Sequence, residues 1–242
     1  MDELKFMTQP IQQYQQTIAS YMAKLLREHF GKGPESVAVS VSDCYIVMYF
    51  RNFLTPSERV LLEQDQINII DHIREKLMLA LMPELYGYIE VVTGIKVREF
   101  YYDWNLHNKS GMLVGISKEP FPEAGGVDMV YAGKQGVEEE VRSISYQAQK
   151  IPEELYSLQV APRLVLAIRE GILVRIEKEL IRLGHGDMLK QVKRNLEKSY
   201  LHNNNMFEAA LGKHVTDVFV DWNFDLDKSV ILIVTSPNAQ QP

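Results

Sequence analysis

The chain repeats part of its own sequence, and this duplication limits the possible fold more than any other feature. Residues 94–117 read GIKVREFYYDWNLHNKSGMLVGIS, and residues 212–236 read GKHVTDVFVDWNFDLDKSVILIVTS, with one residue inserted in the second stretch. Both stretches contain Asp-Trp-Asn, and these tripeptides hold the only 2 tryptophans. Self-similarity of this kind indicates a copied structural unit. We therefore predict two tandem modules, 1–118 and 137–242, joined by a Pro/Gly-rich linker at 119–136.

Each module is predicted to have the order α-β-β-α-β-β. In the first copy, apolar residues three and four apart indicate a helix over about Pro10–Phe30, and Val37–Phe50 is typical of a β-hairpin. Thr55-Pro56-Ser57-Glu58 has the composition of a capping box. The helix that starts there is expected to run on until Pro83 kinks or splits it. Strands are predicted at Val97–Asp103 and Met112–Ile116.

The second copy is predicted to repeat this order with changes. Its first helix is placed at Val137–Lys150. Leu164–Ile168 and Ile172–Ile176 are interpreted as the hairpin, so that Leu164–Glu177 matches Val37–Phe50 in pattern. A helix capped by Asp187 is expected to present one apolar face made of Met188, Val192 and Leu196. A break is expected at His202-Asn203-Asn204-Asn205, where the first copy has Pro83.

Hairpins favour antiparallel sheets, and the interspersed helices are expected to pack on one face of each sheet. The predicted fold class is therefore α+β, with two tandem modules in a pseudo-twofold arrangement. Uncovered hairpin edges predict a homodimer, because an open edge strand can pair with another strand.

Composition excludes several functional classes. A net charge of −6 and a pI near 5.6 argue against nucleic acid as a partner. A single cysteine excludes disulfide frameworks and multi-thiolate metal sites within one chain. No apolar run approaches the ~20 residues of a membrane helix, and the first residues do not have the pattern of a secretory signal. We expect a cytoplasmic protein without a metal or another cofactor.

The repeated tripeptide is the strongest candidate site, and it has two interpretations. Two carboxylates and two indoles facing one cleft could bind a ligand or transfer protons. In the structural interpretation, each tryptophan fills a core while the aspartate and asparagine bond to turn backbone. We favour the structural interpretation, because a motif repeated with the fold is most simply part of the fold. The residues concerned are Asp103, Trp104, Asn105, Asp221, Trp222 and Asn223.

Other reactive residues have weaker signals. Cys44 follows Asp43 in a predicted turn, and a neighbouring carboxylate raises the pKa of a thiol. The histidines lack metal-ligand spacing, and no phosphate-binding loop motif is present. Lys190, Lys193, Arg194 and Lys198 lie on one predicted helix. They are interpreted as a solvated basic face, the alternative being contact with RNA, an acidic protein or anionic lipid.

Several short motifs of the first copy resemble the MpsC-like domain family. They are Gly31-Lys32-Gly33-Pro34, Leu54-Thr55-Pro56-Ser57-Glu58, Pro83-Glu84-Leu85 and Val92-Thr93-Gly94. The second copy resembles the family through Asp-Trp-Asn and through its pattern. The resemblance implies a part in a bacterial Na⁺-translocating, membrane-potential-generating system, with membrane-embedded and cytosolic partners that handle cations or inorganic carbon. It supplies no catalytic residues.

Three functions remain open from the sequence. The first is a non-catalytic accessory subunit of a membrane transport complex, located in the cytoplasm and peripheral to the inner face of the membrane. The second is a small-molecule-binding module with its ligand in a cleft between the repeats, near Trp104 and Trp222. The third is an enzyme that uses Asp103, Asp221 or Cys44. The absence of a recognisable catalytic motif favours a non-enzymatic role.

Overall fold

The computed structural model describes residues 10–201 and 204–237, which fall into two compact units. The first unit comprises the described residues of Met1–Phe100 and Trp104–Gly126, and the second those of Tyr101–Asp103 and Val127–Pro242. The elements of the first module are α1 (Ile11–Phe30), β1 (Ser36–Ser42), β2 (Tyr45–Arg51), α2 (Pro56–Glu63), α3 (Ile67–Thr93), β3 (Val97–Asn105) and β4 (Ser110–Ser117). Residues 101–103 of β3 therefore group with the second unit.

The second module repeats the order of the first with one additional helix. Its elements are α4 (Lys134–Ala148), β5 (Glu154–Ala161), β6 (Leu164–Glu170), α5 (Arg175–Arg182), α6 (Gly186–Leu201), α7 (Asn205–Leu211), β7 (Val215–Asn223) and β8 (Lys228–Thr235). The predicted break after α6 includes His202 and Asn203, which lie outside the described residues.

Each module forms one four-stranded antiparallel sheet with helices alongside. The strand orders are β1-β2-β4-β3 and β5-β6-β8-β7, so in both modules the last strand lies between the second and the third. In the first hairpin, pairing runs from Ser36 with Arg51 to Ser42 with Tyr45. The predicted α+β class with two similar modules is confirmed.

The core of the first module lies between α1, α3 and one face of its sheet. Ile18, Met22 and Leu26 of α1 are fully buried, as their helical spacing predicts. Gly111 of β4 lies under the ring of Trp104, and a Cβ at this position would stand 2.2 Å from Trp104 Cε3. Only glycine lets the indole pack this closely on the strand.

The second module buries an equivalent apolar cluster. Val141 and Ile144 of α4 pack there with Phe207 of α7 and Trp222 of β7. Gly212 ends α7 in the left-handed region, with φ 61°, and Gly94 ends α3 in the same way, with φ 72°. The repeated glycine therefore marks the same helix end in both modules.

The prediction of one continuous long helix in the first module is wrong, because two helices stand in its place. α2 ends at Glu63, and α3 begins only at Ile67. Asp65 takes a left-handed conformation with φ 56° between them. Three consecutive polar residues, Gln64-Asp65-Gln66, interrupt the apolar periodicity here, and aspartate tolerates this backbone region better than most residues.

Of the two predicted effects of Pro83, a kink or a split, the split is wrong, because α3 continues through Pro83 to Thr93. Both Pro83 and Leu79, four residues earlier, lie on the exposed side of α3. Water can therefore solvate the Leu79 carbonyl that loses its helical N–H partner at Pro83.

The hairpin predicted for the second module is misplaced. Its strands are β5 and β6, so Leu164–Glu170 corresponds to β2 and not to β1. Ile172 and Leu173 are buried, but they lie in the connection to α5, where their N–H groups donate to the Asp227 carboxylate at 2.8 Å each. A short apolar run is therefore buried here without belonging to a strand.

Within residues 10–201 and 204–237, no helix combines the length and the apolar character needed to cross a membrane.

Candidate functional site

The tryptophans of the repeated tripeptide lie in the cores of their modules. Trp104 and Trp222 are 4% and 3% exposed. Trp104 packs against Phe50 and Phe53, with ring centroids 5.7 and 5.6 Å from its own. Each indole therefore fills the interior of its unit, as the structural interpretation expects.

A buried cation lies over each indole. In the first module the Arg74 guanidinium is 4.6 Å from the Trp104 ring centroid, and in the second the Lys193 ammonium is 5.7 Å from that of Trp222. Each is a cation–π contact, and the attraction between cation and ring is stronger where water is excluded.

The same cations pair with the glutamate that opens the preceding helix. Arg74 Nε and Nη2 contact Glu58 at 2.8 and 2.9 Å, and Lys193 Nζ contacts Glu177 at 2.9 Å. Sixteen residues separate the partners in both modules. We call Glu58, Arg74 and Trp104, with their counterparts Glu177, Lys193 and Trp222, the two Glu–cation–Trp clamps.

The predicted capping box is present in the first clamp. Thr55 N–H donates to Glu58 Oε2 at 2.8 Å, and Glu58 N–H donates to Thr55 Oγ1 at 3.3 Å. In the second clamp Val174 takes the place of threonine and has no acceptor. Only the reverse bond is left, from Val174 N–H to Glu177 Oε2 at 2.9 Å.

The aspartates of the tripeptide are buried, and their carboxylates accept backbone hydrogen bonds. Asp103 is 0% and Asp221 is 1% exposed. Asp103 Oδ2 accepts from Val220 N–H at 3.0 Å, and Asp221 Oδ2 accepts from Tyr102 N–H at 2.9 Å. The bonds are reciprocal, because each carboxylate serves the strand residue that precedes the other aspartate.

Three cations of α6 neutralise the two carboxylates. Lys198 Nζ lies 2.7 Å from Asp103 Oδ1, and Lys190 Nζ lies 2.7 Å from Asp221 Oδ1. Arg194 lies between them along the helix, with Nε 3.4 Å from Asp103 Oδ1 and Nη2 3.9 Å from Asp221 Oδ1. Spacing by four residues places all three cations on one helix face. We call these five side chains the buried charge cluster.

A further ion pair is buried on the same helix. Glu197 Oε2 accepts from Arg169 Nη2 at 2.7 Å, and both side chains are 0% exposed. Arg169 also donates to the hydroxyl oxygens of Ser229 and Ser145, at 2.7 and 2.9 Å. A buried charge is tolerated when it is both paired and hydrogen-bonded, as it is here.

The solvated basic face predicted for α6 is therefore wrong. Lys193 and Arg194 are buried, and the side chains of Lys190 and Lys198 are 18% and 17% exposed. Met188, Val192 and Leu196, the expected core face, are instead 56%, 57% and 40% exposed. The helix is inverted because the two buried aspartates require counter-charges.

The asparagines of the tripeptide bond to turn backbone, as the structural interpretation expects. Asn105 Oδ1 accepts from Asn108 N–H at 3.3 Å, and Asn223 Oδ1 accepts from Leu226 N–H at 3.2 Å. Each bond closes the turn of a hairpin, β3–β4 or β7–β8. The aspartates do not bond to turn backbone as that interpretation expects. Their carboxylates accept from strand N–H groups and pair with cations of α6.

Cys44 lies in the β1–β2 turn, half-buried. Burial and the neighbouring Asp43 carboxylate raise the pKa of the Cys44 thiol, and Sγ lies 3.6 Å from Asp43 Oδ1. A raised thiol pKa reduces the fraction of reactive thiolate at neutral pH.

Among the described residues, no group of three or more histidine, cysteine, aspartate or glutamate side chains is arranged to hold a metal ion. An open surface groove follows the polar, Gln-rich face of α1 in the first unit. Tyr21 and Tyr88 stack in its wall, with ring centroids 3.4 Å apart, and the Tyr21 hydroxyl donates to Glu84. Burial, followed by the Glu84 carboxylate, raises the pKa of Tyr21 to about 12.

Sequence reasoning identified the aspartates but missed their partners and both clamps. The signal for the clamps was present, because Glu58 to Arg74 and Glu177 to Lys193 have the same separation. For the charge cluster the sequence shows three cations four residues apart, but nothing in it links them to Asp103 or Asp221.

Comparison with known proteins gives one family. A family model described as "MpsC: Na+-translocating membrane potential-generating system (MpsC)" matches residues 11–119 and 140–236. The two matched segments correspond to the two modules. No curated protein and no solved structure matches the chain.

Proposed function

The chain belongs to the MpsC family, whose description names a Na⁺-translocating, membrane-potential-generating system, and from this membership we propose that it serves such a system as a non-catalytic accessory subunit. It has a duplicated form of the family domain, since both modules match. In this proposal the protein acts from the cytoplasmic side and binds membrane-embedded partners through its surface.

The burial of the repeated carboxylates is the observation that supports a non-catalytic role most directly. Asp103 and Asp221 are inside the protein, and their oxygens contact backbone N–H groups and the cations of α6. A general acid or base needs hydrogen-bond access to its substrate. These carboxylates instead hold strands and helix together.

The position of Cys44 supports the same proposal. A nucleophilic cysteine is activated by a lowered pKa, usually beside a cation or a histidine. The partner of Cys44 is the Asp43 carboxylate, and burial together with this carboxylate raises the pKa of the thiol. This environment favours an inert thiol.

The tryptophans also favour a structural role over a ligand platform. Both indoles are enclosed by their own cores and lie under cations of their own modules. In this proposal the groups that the sequence offered for chemistry belong to the scaffold, and the accessory subunit uses only its outer surface.

The experiment is reconstitution with membrane vesicles from a strain of the native host that lacks the gene. We expect these vesicles to lose their Na⁺-dependent membrane potential, and purified protein to restore it. The restored potential should saturate at a fixed ratio of added protein to vesicles, because a subunit acts stoichiometrically. The protein should also sediment with wild-type membranes and retain transport components after crosslinking.

Two results would contradict the accessory role. One is an unchanged Na⁺-dependent potential in vesicles without the protein. The other is full restoration by trace amounts that turn over, which would indicate an enzyme. A matched control is the Cys44→Ser variant, which should restore the potential as well as the wild type does.

A further inference from the structure

The outer face of α6 is apolar because the charged face of the helix points inward. From Met188 to Ser199 its exposed residues are Met188, Val192, Asn195, Leu196 and Ser199, and the exposed Asp187 precedes them in the first turn. We call these five residues the outer face of α6. Surface helices normally expose their charged stripe and bury their apolar one. An inverted helix of this kind leaves a contiguous apolar surface in water unless something covers it.

α5, which packs against α6, also exposes apolar residues among charged ones. Ile176 on α5 and Leu183 at the end of α5 are 71% and 60% exposed. Together with Met188, Val192 and Leu196 they offer apolar area on the order of several hundred Å², at the upper end of what monomers expose. Each partner buries ~800 Å² in a standard interface, so the pairing also covers polar residues such as Asn195 and Ser199.

The arrangement along the helix fits a second copy of the same chain. Met188, Val192 and Leu196 are spaced evenly by four residues, with the smallest side chain in the middle. In an antiparallel pair of α6 helices about a twofold axis at Val192, each Met188 meets the Leu196 of the other copy. The surface is therefore self-complementary, which is the requirement for an isologous dimer.

The charge of the residues near the axis supports the same pairing. A twofold axis brings residues against their own copies, so a charged residue near it would repel itself. The five residues of this outer face are uncharged, and Lys190 and Lys198, which are only partly exposed, have their ammonium groups paired with Asp221 and Asp103. The matching face of α3 has apolar residues at Ile69 and Ile73 but also exposes Lys76, which disfavours the same pairing there.

We propose that the chain forms a homodimer in which the outer face of α6 packs antiparallel on its copy, with Val192 on the twofold axis. The dimer does not depend on the accessory role, and it uses a helix face rather than a sheet edge.

The test is sedimentation equilibrium of the full chain and of two single variants, Val192→Glu and Val192→Lys. We expect the wild type to be dimeric, and each variant to dissociate with a dissociation constant raised by about tenfold or more. An equimolar mixture of the two variants should form a heterodimer, because glutamate then faces lysine across the axis. The matched control is Val91→Glu on α3, where the valine is 82% exposed, and it should remain dimeric.

A second pair of variants tests the register and keeps the result independent of any folding effect at Val192. Met188→Glu combined with Leu196→Lys places opposite charges across the axis and should remain dimeric. Met188→Glu combined with Leu196→Glu places like charges there and should dissociate. A monomeric wild type over the whole concentration series overturns the proposal, as does a dimeric Val192→Glu variant. Failure of the glutamate and lysine variants to associate with each other also overturns it.

Discussion

At the residue scale, the fold depends on charges that the protein keeps out of water. The Asp103 carboxylate has Lys198 and Arg194 beside it, and Asp221 has Lys190. Transferring such ions into the interior is costly, and their mutual attraction compensates only while every partner is present. Removing one member should therefore cost much more than removing an exposed ion pair.

The Asp103→Asn variant should lower the free energy of unfolding by about 3–5 kcal/mol, because it leaves Lys198 without its carboxylate partner and Arg194 with Asp221 alone. Asp221→Asn should act in the same direction. Urea denaturation measures the change. Glu179→Gln is the matched control: its carboxylate pairs with Arg182 at 2.8 Å on the surface, and its loss should cost less than about 1 kcal/mol. Equal costs at the buried and exposed sites would contradict this assignment.

Acid should weaken the protein through Glu58. Burial alone would raise the pKa of the Glu58 carboxyl, but Arg74 and Thr55 lower it below its ordinary value of 4.5. A carboxyl with a lowered folded-state pKa stabilises the fold above pH 4.5, and this stabilisation is lost as the pH falls through the folded-state pKa. Below pH 4.5, Glu58→Gln should flatten the slope of unfolding free energy against pH. An identical slope in variant and wild type would show that Glu58 does not contribute.

The identity of the important aspartates was predictable from the sequence, but their partners were not. Met188, Val192 and Leu196 have the spacing of a core face, and periodicity alone assigns such a face to the interior. What reverses α6 is the need of two distant carboxylates for cations. Asp103 and Val220, whose backbone serves the first carboxylate, are 117 positions apart in sequence. Local pattern has no information about such a contact.

At the element scale, the starts of the equivalent helices α2 and α5 differ in one side chain, that of the N-cap residue. Thr55 and Val174 have nearly the same backbone conformation, with φ −75°, ψ 161° and φ −82°, ψ 164°. Threonine supplies a side-chain acceptor to the first turn of α2, whereas valine cannot supply one to α5. The second module therefore lacks half of a capping box for which its backbone is already in place.

Restoring that acceptor should stabilise the protein. Val174→Thr is expected to raise the free energy of unfolding by about 1 kcal/mol, the usual contribution of an N-cap hydroxyl. Val174→Ala is the control, because it shortens the side chain without adding an acceptor, and it should bring no gain. Urea denaturation of both variants decides the matter. A Val174→Thr variant less stable than the alanine variant would contradict the equivalence of the two helix starts.

The elements differ in how well the sequence predicts them. The capping box at Thr55 follows from local chemistry, and the structure has it as predicted. The glycine ends of α3 and α7 are local features of the same kind. The hairpin of the second module is not predicted correctly. Ile172 and Leu173 are apolar because they are buried, but they lie in a connection whose N–H groups bond to Asp227. A short apolar run cannot distinguish a strand from a buried loop.

At the scale of the whole molecule, the duplication was predictable from two tryptophans and their flanking residues. The grouping of residues 101–103 with the second unit was not. In this segment the Asp103 carboxylate contacts α6 and the backbone of β7. The second unit therefore depends on three residues that belong to the first copy of the repeat.

A chain cut after Gly126 should show this dependence. Residues 127–242 alone lack Asp103, so Lys198 loses its carboxylate partner and Arg194 keeps only Asp221. The isolated fragment should therefore unfold at much lower urea concentration than the full chain. Replacing both cations with methionine should recover part of the loss, because uncharged side chains need no partner. A fragment as stable as the full chain would contradict the role assigned to Asp103.

The most direct measurement for the central claim, that the repeated carboxylates are structural, is a double-mutant cycle between Asp103 and Lys198. Unfolding free energies are needed for the wild type, Asp103→Asn, Lys198→Met and the double variant. We expect a coupling of about 1–3 kcal/mol, with the double variant less damaged than the sum of the single variants. A coupling near zero, with Asp103→Asn folding as stably as the wild type but abolishing the Na⁺-dependent potential, would show that this carboxylate works in function and not in the fold.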